Sequence, residues 1–147
     1  MNPFESNLSC LLRTAAFLQI GIAILNLFLV RLLGWRADLQ RAPLLLKEVF
    51  QVHAWFISVT LIIFGTITWR FAEVLAANSD PIGPWLAAGI GGFWALRTVL
   101  QVVYYSSGHW RGNPRRTVAH LLLLVIYGGF AIAYFAAAVA RPPGGGL

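Results

Sequence analysis

A chain of 147 residues with 59% hydrophobic and 11% charged side chains carries more apolar surface than one water-facing core of that size can hide, since soluble domains hold about 25% charged residues. A soluble globule is excluded, and the composition, with a mean hydropathy of +0.72, is that of a membrane protein. The excess of 11 Lys+Arg over 5 Asp+Glu then reads as loops beside anionic lipid headgroups rather than a nucleic-acid surface, so the bilayer is the expected partner.

Four apolar runs follow one another. They cover about 14–33, 49–69, 85–105 and 117–140, each near the roughly 20 residues that cross a hydrocarbon layer of about 30 Å. Backbone polar groups in lipid must be satisfied within the segment, so each run is expected to be a helix. The predicted fold is all-α, an integral membrane four-helix bundle of up-down topology forming a single domain over 1–147, with 141–147 as a tail.

The punctuation fits this division. Gly34-Trp35-Arg36 closes the first run, and Pro43 stands where the second helix can begin at the membrane interface. Asn78-Ser79-Asp80-Pro81 and Gly83-Pro84 separate the second run from the third, and Asn113-Pro114 is suited to start the fourth. Trp35, Trp69, Trp85 and Trp110 fall at run ends, as an aromatic belt requires.

Cations set the expected orientation. Arg31, Arg36, Arg41, Lys47, Arg111, Arg115 and Arg116 share one side, against Arg13, Arg70 and Arg141 on the other. The richer side is expected to be cytoplasmic, with both termini extracytoplasmic, in a bacterial inner (cell) membrane.

Chemistry can sit where polar groups enter the runs. Arg97 lies near mid-span in the third run, and an ionisable residue at that depth marks a functional site by default. Gln101 and Tyr104 follow at +4 and +7 on the same helical face, making a polar stripe that climbs toward the basic segment His109–Arg116. Gln51, Glu48 and His53 stand near the start of the second run and His120 near the start of the fourth, with the two histidines at similar depth. His53 points about 140° from Glu48 at 100° per residue, so the two are not expected to share a partner. Asn26, mid-way along the first run and on one face with Gln19, is a candidate partner for Arg97.

Three readings compete for this cluster. Arg97, Gln101 and Asn26 can hold helices together in a non-catalytic accessory or subunit-like protein, itself a homo-oligomer or part of a membrane complex. His53 and His120 can instead ligate a b-type haem, or the cluster can hold a quinone, between helices of a bundle. Or Arg97, Gln101, Tyr104, His53 and Gln51 can form a ligand-binding pocket, at the cytoplasmic ends of the second, third and fourth runs, of an enzyme or carrier acting on an anionic amphiphile or lipid, since arginine suits bidentate contact with phosphate or carboxylate. No paired carboxylates, no Ser–His–Asp order and no metal-ligand cluster is visible, so no catalytic or metal-binding residue is assigned. Ala87-x-x-x-Gly91, Ala88-x-x-x-Gly92 and Gly128-Gly129 are expected at close helix contacts.

Overall fold

The computed structural model describes residues 2–32, 34–104 and 114–140. Among the described residues the architecture is all-α, with five helices and no strand: α1 (Pro3–Leu32), α2 (Arg36–Arg41), α3 (Leu44–Ala77), α4 (Gly83–Val103) and α5 (Pro114–Val139). Four of them, α1, α3, α4 and α5, are long and apolar enough to cross a membrane, and the chain is a multi-pass membrane protein.

Two helices outrun their apolar runs. α1 begins at Pro3 rather than near Thr14 because Asn2 and Glu5 cap each other. The Glu5 N–H donates to Asn2 Oδ1 at 2.8 Å, and the Asn2 N–H donates to Glu5 Oε2 at 3.0 Å. This reciprocal box, with proline at the first helical position, satisfies amide donors that would otherwise be orphaned. α3 starts at Leu44, where the Pro43 carbonyl accepts from the Leu46 and Lys47 amides at 3.0 and 3.2 Å. It runs past Trp69 through a non-helical residue, Phe71 (φ −114°, ψ 18°), to Ala77.

The ends are chemically explicit. Gly34 has φ +70°, and the Trp35 N–H reaches back to the Val30 carbonyl at 3.0 Å while the Gly34 N–H reaches Arg31 at 3.3 Å. That is the hydrogen-bond pattern that lets a left-handed glycine close a helix. Asn78, which follows α3, is also left-handed with φ +50°, and its Nδ2 donates to the Ala140 carbonyl beyond α5. The Ile82 N–H donates to Asp80 Oδ1 at 2.8 Å, and Pro84 sits in the first turn of α4.

The buried residues of each long helix recur at alternating steps of three and four. On α1 they include Leu12, Ala16, Gln19 and Ala23; on α3, Ser58, Leu61, Gly65, Thr68 and Ala72; on α4, Ala87, Ile90, Trp94 and Gln101; on α5, Tyr127, Phe130, Tyr134 and Ala137. These seams mix small, polar and aromatic side chains, while Phe17, Val52, Phe56, Val99, Val125 and Ile132 are exposed. Polar seams with apolar outer faces invert the pattern of a soluble bundle, and they are what lipid as solvent selects.

The residues form two compact units, Met1–Leu12 with Ala72–Leu147, and Arg13–Phe71. In the first, α4 and α5 pack through Gly91, where an added Cβ would lie 3.2 Å from Phe135 Cδ1 and 3.3 Å from Tyr134 Cβ. Gly92 and Gly129 face open space. In the second, α1 and α3 approach at Gly65, where an added Cβ would lie 2.8 Å from Ile20 Cγ1 and 3.0 Å from the Ala16 carbonyl oxygen.

Candidate functional site

The seam of α4 places Arg97 three residues after Trp94 and four before Gln101, so the charge belongs to the packed face and not to the lipid face. The seam of α5 places His120 seven residues before Tyr127. These two periodicities bring the five side chains together in the unit that holds both helices.

Arg97 Nη1 donates to Gln101 Oε1 at 3.0 Å, and Gln101 Nε2 lies 2.9 Å from His120 Nδ1. The guanidinium has donors only, so the Gln101 carbonyl must face it. The amide nitrogen of Gln101 therefore faces the imidazole as a donor, which makes His120 Nδ1 the acceptor and leaves the ring proton on Nε2. The polarity of the whole chain is set by Arg97.

The guanidinium also lies over an aromatic platform. Arg97 Cζ is 5.0 Å from the centroid of Tyr127. Tyr127 stacks on Trp94 at 5.2 Å and 28°, and Trp94 meets Phe130 edge-on at 4.7 Å. Trp94, Tyr127 and Phe130 are all buried, as is Gln101, while Arg97 and His120 are half-buried. A cation on such a face gains about 0.5–2 kcal/mol, according to how far it is desolvated, which helps to offset the cost of holding a charge away from water.

Tyr104 follows the last turn of α4 and is 82% exposed, so the stripe narrows to Arg97 and Gln101. His53 and Gln51 lie on α3, exposed, in the other unit, as does exposed Glu48. Asn26 has a different partner from the one its sequence position suggested. Its Nδ2 donates to the Ala54 carbonyl at 3.0 Å and to Ser58 Oγ at 2.9 Å, committing both amide hydrogens to α3. The segment 105–113, the side chains of Arg115 and Arg116 and the tail 141–147 lie outside the described residues. Among the described residues no group of three His, Cys, Asp or Glu side chains converges.

Sequence reasoning missed Tyr127 as the face under Arg97 and Gln101 as the link to His120. The signal was available in the spacing: Trp94, Arg97 and Gln101 share a three-four seam, and His120 and Tyr127 are one heptad apart. No protein-family model, curated protein or solved structure matches the chain.

Proposed function

We propose that this is a non-catalytic accessory or subunit-like protein of a bacterial inner membrane, with both termini extracytoplasmic. Its α4–α5 hairpin acts as a rigid element stapled by Arg97, Gln101 and His120. The observation that carries the reading is the closed hydrogen-bond chain from Arg97 through Gln101 to His120, in which the mid-span charge is engaged by groups of the same hairpin. A site built to capture a ligand would aim that guanidinium at a space; here it lies over Tyr127 and donates to Gln101.

The polarity of the chain favours the staple over haem ligation. With Nδ1 of His120 accepting from Gln101, the proton sits on Nε2, the nitrogen that iron would need unprotonated. The seven-cation side supports the orientation, by which the staple lies toward the cytoplasmic ends of α4 and α5.

The test is the absorbance spectrum and thermal melt of the purified protein beside Arg97→Leu and His120→Ala. The expected result is a spectrum without visible bands, with both substitutions lowering the melting temperature. A Soret band lost in His120→Ala would overturn the staple in favour of a haem site.

A further inference from the structure

The unit Arg13–Phe71 carries a cavity remote in sequence from Arg97 and independent of the staple. It measures about 460 Å³ and is formed where the end of α1, the short α2 and the first turns of α3 meet. Arg31, Arg36 and Lys47 line it together with Gln40 and Gln51, over walls that include Phe50 and Trp55. Among the described lining residues there are three cations and no carboxylate. Lys47 Nζ donates to the Gln40 carbonyl at 2.8 Å, which ties α2 to α3. Like charges converging on one space repel unless an anion sits among them.

A second groove, about 490 Å³, continues down the side of α3 and is lined by Gln51, Val52, Trp55, Phe56 and Val59. The two cavities share Gln51 and Trp55. Val52, Trp55 and Phe56 are 68%, 56% and 69% exposed, so the groove is apolar and open at the side. From Gln51 to Val59 it follows about 12 Å of helix at 1.5 Å per residue. A cationic pocket at the end of the spans thus adjoins a shallow apolar groove along α3.

We propose that this pair of cavities binds an anionic amphiphile, its phosphate-bearing head among Arg31, Arg36 and Lys47 and its chain along the α3 groove. Guanidinium groups match phosphate oxygens in bidentate geometry. The location matches as well: Arg31 is in the last turn of α1 and Lys47 in the first turn of α3, the level at which headgroups of the bilayer lie. A free phosphate would use the chamber and leave the groove unexplained. A zwitterionic lipid would bring its own cation against three others.

The experiment is native mass spectrometry of the full chain released from mixed phosphatidylglycerol and phosphatidylcholine nanodiscs. The expected result is a retained phosphatidylglycerol, favoured over phosphatidylcholine by about tenfold or more, and lost in Arg31→Gln/Arg36→Gln. Both arginines are exposed, so the double variant is expected to fold. Arg41→Gln removes a cation of the same loop that does not line the chamber, and it should leave retention unchanged. Equal retention of the two lipids, or equal loss with Arg41→Gln, would overturn the proposal in favour of diffuse attraction to the membrane surface. Displacement of the lipid by millimolar inorganic phosphate would overturn it in favour of a soluble anion.

Discussion

Gln101 donates to His120 Nδ1 across 2.9 Å because its own carbonyl is held by Arg97 at 3.0 Å. The tautomer of a histidine on α5 is thus dictated by a charge on α4. In the wild type, imidazole nitrogen chemical shifts should report the proton of His120 on Nε2. Gln101→Glu puts an acceptor on both sides of that position, and the proton should move to Nδ1. A wild-type spectrum with the proton already on Nδ1 would falsify the relay.

Gln101→Leu removes the hydrogen-bond partner that Arg97 and His120 share. Unpaired buried polar groups cost about 1–3 kcal/mol each, whereas interhelical hydrogen bonds in membranes average about 0.6 kcal/mol. Leucine at 101 should therefore destabilise the hairpin by about 1 kcal/mol, and combining it with Arg97→Leu should cost less than the sum of the two single changes, because the contact between them is lost only once. Reversible unfolding in mixed micelles measures both. Strictly additive losses would show that Arg97 and Gln101 are not coupled.

The existence and order of the four long helices were legible because run length and turn residues both mark them. The extensions were not legible from hydropathy. Residues 3–13 read as a polar lead-in until Asn2 and Glu5 are recognised as a cap, and the stretch after Trp69 contains Arg70 and Glu73, which dilute the apolar signal. At the site, Arg97 and Gln101 stood out because a charge in a greasy run is conspicuous. Tyr104 misled because +7 from Arg97 keeps it on the same face while helix length carries it beyond the packed region. Asn26 misled because matching depth says nothing about which neighbour faces it; its partner Ser58 is a small residue on the α3 seam, inconspicuous in composition.

Gly65 is the position where α1 and α3 have no room to spare. A Cβ there would meet Ile20 Cγ1 at 2.8 Å and the Ala16 carbonyl oxygen at 3.0 Å; the second of these is backbone and cannot swing away. Gly65→Ala should cost about 1–3 kcal/mol by forcing the helices apart. Gly89→Ala, where nothing lies within 4 Å, should be neutral or stabilising by a fraction of the roughly 0.5–1 kcal/mol that separates glycine from alanine in helices. Equal effects of the two substitutions on the melting temperature would remove the close-contact role of Gly65.

The orientation can be read with the single cysteine. Cys10 is exposed on the first turns of α1, three residues before Arg13, whose guanidinium carbon lies 5.9 Å from the ring of Trp69. A tryptophan with an arginine over it is an interfacial anchor, so Cys10 is expected beyond the hydrocarbon layer, where water reaches it. A membrane-impermeant maleimide should label it in intact spheroplasts, and the same should hold for Ser79→Cys in a Cys10→Ser background, since Ser79 is exposed in the turn between α3 and α4. Labelling of both only after permeabilisation would invert the topology. The chamber of Arg31, Arg36 and Lys47 would then face the outer leaflet, and the amphiphile it holds would have to be drawn from there.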